Sequence, residues 1–190
     1  MNDSIISPKA NARFVVTLPP GPSRVGAELE KLAGSSFLTL TDTKDAFLHL
    51  ANRAKKRLVI MTPYIDRTGA HWAEELFTAT AAKDRVFIVR NLAELMDCGA
   101  AGERLQRSAT TLLGYEFAPS AGESGLKETF HAKIVLADGV AAYVGSANFL
   151  YHSKESNLEC GFLLDGDAVT PVSLLIDSVI RALTAPGIVV

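Results

Sequence analysis

The sequence predicts an α/β domain whose mixed β-sheet is flanked by helices on both faces. Short apolar runs typical of buried strands, such as 57–62, alternate with segments that repeat apolar residues at helical spacing. The Asp138-Gly139 pair lies between two apolar runs, which is the signal of a two-residue hairpin and indicates at least one antiparallel pair of strands. A chain of 190 residues, 48% of them apolar, can bury one core without disulfides or a structural metal.

Each element has a local signal in the sequence. The helix predicted over 42–56 begins at the capping residue Thr41 or Asp42, and Pro63 ends the strand over 57–62. The pattern predicts further helices over 69–82, 101–113 and 168–183, strands over 84–91, 115–118, 129–137, 140–145 and 157–164, and a loop over 119–127. A proline-rich breaker follows the apolar run 14–18, so residues 1–35 are expected to form an irregular N-terminal segment in which 25–32 could be a short helix. Residues 36–190 are then one domain.

Composition and charge limit the function classes only loosely. A net charge of −2 does not indicate a nucleic-acid binder or a membrane-surface protein, and a local basic cluster could still serve either role. The N-terminus lacks the pattern of a secretory signal, and no apolar run approaches the roughly 18 residues of a membrane span. The two cysteines are too few for a disulfide framework. A cytoplasmic protein with no membrane partner is therefore expected.

The chemistry-bearing residues are concentrated between 130 and 162. On a strand, His131 and Lys133 share one face, and two groups that can both be cationic repel each other unless an anion lies between or above them. A phosphate is the natural candidate for that anion. Ser146 and Asn148 follow the next strand and offer hydrogen-bond donors to it. Glu159 lies in an apolar strand, where a carboxylate needs a partner, and His131 is the partner we expect.

These residues give the chain its resemblance to a known family. The pattern His-x-Lys-x4-Asp-x6-Gly-Ser-x-Asn is similar to the signature of the phospholipase D superfamily, and the sequence supplies it as His131, Lys133, Asp138, Gly145, Ser146 and Asn148. Glu159 is similar to the carboxylate that supports the histidine in that family. The resemblance implies the phospholipase D/nuclease fold for the domain 36–190, with His131, Lys133 and Glu159 catalytic and Ser146 and Asn148 binding the substrate.

The resemblance also implies a mechanism without a metal or another cofactor. One histidine of the superfamily attacks phosphorus to form a phosphohistidine, while a second histidine, from a second copy of the motif, protonates the leaving oxygen. This chain carries the motif once, because His152 and Lys154 repeat the His-x-Lys spacing without a following Gly-Ser-x-Asn. We therefore expect a homodimer whose twofold axis passes through the active site.

The motif defines the reaction class and leaves the substrate open. The resemblance to small single-motif bacterial members favours a DNA-cleaving nuclease, with a role in phage defence and partner proteins from a defence system. A phospholipid-headgroup phosphodiesterase and a non-catalytic nucleic-acid-binding subunit are the alternatives.

Some motif residues have a simpler structural interpretation. A turn is the more plausible role for Asp138, which precedes Gly139, and packing is the more plausible role for Gly145. Tyr64 and Trp72 could stack on a base, although core packing is favoured for both.

Overall fold

The computed structural model describes residues 11–33, 42–115 and 128–185. Within these ranges the strands are β1 (Asn11–Thr17), β2 (Arg57–Thr62), β3 (Asp84–Val89), β4 (Thr111–Gly114), β5 (Ile134–Ala137), β6 (Ala141–Gly145) and β7 (Glu159–Asp165). The helices are α1 (Arg24–Ala33), α2 (Thr43–Arg53), α3 (Arg67–Ala79), α4 (Leu92–Met96), α5 (Ala100–Ser108), α6 (Tyr151–Glu155) and α7 (Thr170–Thr184), and a 3-10 turn, Gly166–Val169, precedes α7.

The strands form one sheet in the order β1-β7-β6-β5-β2-β3-β4. The pairs β2–β3 and β3–β4 are parallel, whereas β5 runs antiparallel to β2 and the strands β5, β6, β7 and β1 are antiparallel to one another in succession. The sequence prediction of a mixed sheet is confirmed. The hairpin at Asp138-Gly139 is also confirmed, since it joins β5 to β6 and both residues have positive φ, 54° and 71°.

Helices cover both faces of the sheet, as predicted. Apolar side chains of α2, α3 and α5, among them Phe47, Leu76 and Leu105, form the larger core cluster with one face. Helix α7 covers part of the other face, where Ile176 and Val179 pack against residues of β2 and β3. Trp72 is buried against Phe47 with ring centroids 4.9 Å apart, so the core-packing interpretation of Trp72 is confirmed.

The N-terminal segment expected to be irregular contains a strand, β1, and the short helix considered over 25–32 is present as α1. Strand β1 adds to the edge of the sheet through seven residue pairs with β7, from Asn11↔Asp165 to Thr17↔Glu159. The hydroxyl of Thr17 donates to Thr43 at 2.8 Å, and this contact ties the strand to α2. The partner of β1 lies at the opposite end of the sequence, so the local sequence could not reveal the pairing. The division of the chain at residue 35 stays a prediction.

Other differences from the sequence prediction are local. Residues 111–114, predicted to end a helix, form β4, because the neighbouring strand β3 offers a free edge. The short helices α4 and α6 were not predicted. Strand β5 begins at Ile134 rather than 129, so His131 and Lys133 precede the strand. The predicted strand over 115–118 falls, after its first residue, outside the described residues, and so does the whole of the loop predicted over 119–127.

All seven strands of the described sheet either end or begin along one edge, the edge that runs across the strands. Parallel strands β2, β3 and β4 end there, and β6 and β1 end there as well. The antiparallel strands β5 and β7 begin at the same edge. The segments that follow Thr62, Val89 and Gly145, and those that precede Ile134 and Glu159, are thereby brought together.

Candidate active site

A cavity of 460 Å³ lies at this edge and is lined by every motif residue except Asp138. Four of the residues that line it carry the predicted phosphate-binding and catalytic groups: His131, Lys133, Ser146 and Asn148. The lining also includes Phe14 and Phe162, whose rings lie 5.3 Å apart and whose exposed fractions are 47% and 48%. The cavity therefore combines polar groups that can hold an anion with apolar rings that are open to solvent.

Lys133 and His131 are in direct contact. The Lys133 ammonium lies 2.7 Å from Nδ1 and 3.3 Å from Nε2 of the His131 ring, and it donates to the His131 carbonyl at 2.8 Å. An ammonium can donate to the lone pair of an imidazole nitrogen, so the short distance to Nδ1 is that of a hydrogen bond from Lys133 to the ring. Two groups expected to need an anion between them instead touch through this hydrogen bond.

Burial distinguishes the two side chains. Lys133 is 5% exposed, whereas His131 is exposed at the mouth of the cavity. Burial lowers the pKa of Lys133, and the negative charge of Glu159 partly opposes this effect. A partly desolvated ammonium interacts more strongly with an anion than one in bulk water, because the local dielectric is lower.

Glu159 contacts Ser146 rather than His131. The Ser146 hydroxyl donates to Oε2 of Glu159, and Asn157 Nδ2 donates to Oε1 at 3.4 Å. Among the described residues, the expected Glu159–His131 pair is absent. Glu159 is the buried first residue of β7, whereas His131 precedes β5 by three residues and extends to the surface.

Ser146 and Asn148 are held by the backbone around them. The Ser146 hydroxyl also accepts from the backbone N–H of Cys160 at 3.0 Å, and the Ser146 N–H donates to the Cys160 carbonyl at 2.9 Å. Asn148 donates its backbone N–H to Ser153 Oγ at 3.3 Å. In the part of the chain that the structure describes, the side-chain oxygen of Asn148 is buried without a hydrogen-bond partner. The side-chain oxygen of Asn148 can therefore accept a hydrogen bond from a ligand.

Gly145 permits close packing beside these residues. A Cβ at Gly145 would collide with the Tyr143 hydroxyl and would lie 2.6 Å from the carbonyl oxygen of Cys160. Tyr143 is buried, and this burial raises the pKa of Tyr143 to about 12. The packing interpretation of Gly145 agrees with this geometry.

Asp138 lies at the opposite end of β5 from Lys133. Its carboxylate accepts from the backbone N–H groups of Lys55, Lys56 and Arg57, each at 2.8 Å. Burial opposes ionisation of Asp138, but the three N–H groups outweigh it and the pKa of Asp138 is lowered. The carboxylate thus fastens the hairpin turn to the segment between α2 and β2.

Tyr64, for which core packing was favoured, is only partly buried and lies beside His131, and Arg90 and Glu94 extend from it in a series of contacts. The Tyr64 ring approaches the imidazole edge to face, with centroids 5.7 Å apart and planes at 73°. The Arg90 guanidinium lies 4.5 Å from the Tyr64 ring centroid, and Glu94 pairs with Arg90 at 2.9 Å. Tyr64 and Arg90 follow β2 and β3, so their position at the end of a buried strand was the available signal.

The chain belongs to the phospholipase D superfamily. The family model described as "Cardiolipin synthase, PLD-like domain" matches residues 47–175, which is more than half of the chain. The matched range includes every motif residue. A search of curated protein sequences gave no match.

Several solved structures share the fold. NucT from Helicobacter pylori has a TM-score of 0.53 at 14% identity, with 91% of this chain and 96% of that chain covered. A phospholipase D family member, Nuc from Salmonella typhimurium, has a TM-score of 0.55 at 13% identity, covering 92% and 96%. Phosphatidylserine synthase from Haemophilus influenzae has a TM-score of 0.51 at 17% identity, covering 94% of this chain and 40% of that chain.

The helices of the described ranges are all too short or too polar to cross a membrane.

Proposed function

We propose that the protein is a metal-independent phosphodiesterase that cleaves DNA through a phosphohistidine formed on His131. The observation that carries the proposal is the single cavity that His131, Lys133, Ser146 and Asn148 share. An exposed imidazole supplies the nucleophile, the Lys133 ammonium supplies a donor for a phosphate, and Ser146 and Asn148 line the same cavity beside them. Glu159 completes the set by holding the Ser146 hydroxyl.

The proposed reaction has two displacements. An imidazole nitrogen of His131 attacks phosphorus, the bond from phosphorus to the leaving oxygen breaks, and a second histidine gives that oxygen a proton. Water then loses a proton to the second histidine and attacks phosphorus, and the phosphorus–nitrogen bond breaks. Lys133 stabilises the charge that develops on the phosphoryl oxygens in both steps, because its ammonium is buried beside them.

The second histidine is proposed to come from a second copy of the chain. The sequence carries one complete motif, and the mechanism uses two. Phe14 and Phe162 are half exposed in the wall of the cavity, and a second copy seated on this face would remove them from water. A homodimer with a self-complementary interface at the cavity follows from both points.

DNA is favoured over phospholipid by the architecture of the neighbours. The chain covers nearly all of NucT and Nuc, whereas it covers less than half of the phosphatidylserine synthase chain. The single-motif plan of this chain therefore resembles the two short structures, which agrees with the nuclease expected from the motif. A role in phage defence, with partner proteins of a defence system, stays a prediction from the resemblance.

Plasmid DNA, single-stranded DNA and a phosphatidylcholine analogue, each with and without EDTA, test the substrate and the need for a metal. We expect DNA cleavage that resists EDTA and is absent in His131→Ala, whose melting temperature stays near that of the wild type because the side chain is exposed. An alkaline quench followed by mass spectrometry should find a DNA strand end joined to His131 through phosphorus, because the first displacement breaks only one of the two ester bonds.

Three other outcomes would contradict the proposal. Release of the phospholipid headgroup without DNA cleavage would select the lipid enzyme. DNA binding without turnover would select a non-catalytic subunit. If the fully active protein has the solution mass of one chain, the homodimer is excluded from the mechanism, although the phosphodiesterase activity itself would stand.

A further inference from the structure

The His131 side chain requires lateral support that its own backbone does not give. His131 lies before β5, outside the ladder of the sheet, and its ring is exposed. Among the described residues, the Lys133 ammonium contacts the imidazole at Nδ1 and the Tyr64 ring contacts it edge to face. A nucleophile must hold its attacking nitrogen in line with the bond that breaks, so the contact with Tyr64 restricts a motion that would slow the reaction.

Tyr64 is itself held by Arg90. The guanidinium carbon of Arg90 lies 4.5 Å from the centroid of the Tyr64 ring, and Nη1 donates to the Tyr64 hydroxyl at 3.2 Å. Both contacts involve the same two side chains, so the ring is fixed at its face and at its hydroxyl. A cation over the face of a tyrosine is attracted by the negative face of the ring.

Glu94 completes the series of contacts. It accepts from Nη2 of Arg90 at 2.9 Å, and both side chains are less than one third exposed. The hydrogen bond to Glu94 raises the pKa of Arg90. One nitrogen of the guanidinium, Nη2, is thus directed to Glu94 and another, Nη1, to Tyr64, which fixes the plane that lies against the ring.

We infer that Tyr64 is a positioning residue for His131 and that Arg90 acts on the reaction through Tyr64. The inference rests on the proposed phosphohistidine chemistry of His131. It assigns to Tyr64 a role in orientation, carried by the ring, and to its hydroxyl only the contact with Arg90. The competing role for Arg90 is direct contact with a substrate phosphate.

Steady-state kinetics of Tyr64→Ala, Tyr64→Phe, Arg90→Ala and the Tyr64→Ala/Arg90→Ala double variant separate these roles. We expect Tyr64→Ala to lower kcat by about 10- to 100-fold with little change in KM, since a misaligned nucleophile costs up to that factor. Tyr64→Phe should recover most of the lost kcat because it keeps the ring. The double variant should be no slower than Tyr64→Ala alone, because Arg90 acts through a ring that is no longer there.

A matched control is available in Tyr151. Its ring meets His152 edge to face, with centroids 5.3 Å apart and planes at 75°, but His152 lies outside the cavity. Tyr151→Ala should leave kcat unchanged. If it slows the reaction as much as Tyr64→Ala does, loss of any surface aromatic is sufficient and the inference fails.

A readout independent of turnover is the NMR signal of the His131 ring, assigned by its loss in His131→Ala. The Tyr64 ring current should displace the Cε1–Hε1 resonance, so the resonance should move in Tyr64→Ala and stay in Tyr64→Phe. A resonance unchanged in Tyr64→Ala overturns the inference, and so do effects of Tyr64 and Arg90 on kcat that multiply in the double variant. If the wild-type protein has no phosphodiesterase activity, the proposed function is contradicted. The NMR test would still report whether the Tyr64 ring contacts His131, so the two failures can be told apart.

Discussion

Replacing Asp138 with asparagine should lower thermal stability without slowing the chemistry. The carboxylate accepts three backbone hydrogen bonds, with Oδ1 shared by the N–H groups of Lys56 and Arg57 and Oδ2 taken by the N–H of Lys55. An asparagine can keep its oxygen on Lys56 and Arg57, but its NH2 group then faces the Lys55 N–H, so a donor meets a donor. The turn geometry is preserved, since asparagine tolerates the positive φ of 54°.

The size of the effect follows from these contacts. Losing one hydrogen bond to a charged acceptor costs about 2 kcal/mol, which in a domain of this size lowers the melting temperature by roughly 4–8 °C. Asp138→Ala should cost about 1–2 kcal/mol more, because alanine is strained at positive φ and all three N–H groups lose their acceptor. The exposed Asp97, whose side chain makes no hydrogen bond among the described residues, provides the control Asp97→Asn, which should change stability by less than about 0.5 kcal/mol.

Activity gives the decisive comparison. Five steps at strand spacing separate the Cα atoms of Lys133 and Asp138 by about 16 Å, and the Asp138 carboxylate is directed to the backbone of Lys55, Lys56 and Arg57 rather than to the cavity. At 20 °C, kcat of Asp138→Asn should therefore match the wild type while calorimetry reports the lower melting temperature. A tenfold loss of kcat at an unchanged melting temperature would show that the carboxylate acts in the chemistry and would refute this argument.

The pH dependence of the same variant has a definite sign. The pKa of Asp138 is lowered in the folded protein, against burial, by the three N–H groups, so the carboxylate stabilises the fold above its unfolded pKa of about 3.9. That contribution is lost as the pH falls through the lower, folded-state pKa. The difference in melting temperature between wild type and Asp138→Asn should be constant from pH 8 to about pH 5 and should shrink below about pH 4.

Three further variants have expected outcomes. Lys133→Ala should lower kcat by about 10²–10³-fold in the DNA-cleavage assay, the usual loss for a buried group that stabilises developing charge, and an unchanged rate would exclude Lys133 from the chemistry. Glu159→Gln removes the negative charge that raises the pKa of Lys133 against the effect of burial, so the pKa of Lys133 should fall. The decline of activity at alkaline pH should then begin at lower pH, and an unchanged pH–rate profile would contradict this coupling. Gly69→Ala should cost about 3 kcal/mol in a denaturant titration, because its Cβ would overlap the backbone carbonyl oxygen of Phe149, whereas Gly26→Ala, whose nearest atom is Ser23 Cβ at 3.3 Å, should change stability by less than about 1 kcal/mol.

The elements best predicted from the sequence are those with both an apolar pattern and a local stop signal. Strand β2 was predicted with its observed bounds, because a basic cluster precedes its buried run and Pro63 follows it. Helix α2 begins at the predicted cap, where the Asp42 side chain accepts from the backbone N–H of Asp45 at 2.8 Å. Both signals lie within a few residues of the element, so one sequence is sufficient to read them.

The elements that were missed depend on distant partners. Residues 111–114 continue an apolar pattern compatible with a helix, but the edge of β3 pairs with them and the strand prevails. Strand β1 depends in the same way on β7, which lies about 150 residues later in the chain. The Glu159–His131 pair was expected because both residue types are rarely left unpaired, and Ser146 meets that need of Glu159 instead.

The candidate site also contains residues placed by local contacts and residues placed by contacts between distant parts of the chain. The motif spacing corresponds to one hairpin: Lys133 precedes β5, Asp138 and Gly139 turn the chain, and Ser146 follows β6 after the pair Ile134↔Val144. A hairpin brings its two ends together whatever surrounds it, so spacing alone could place Lys133 and Ser146 at one edge. Tyr64 and Arg90 reach the same edge only because β2 joins β5 and β3 joins β2 in the sheet, an order that no local pattern encodes. The chemical groups of the site could therefore be predicted from the sequence, whereas the side chains proposed to orient His131 could be identified only from the fold.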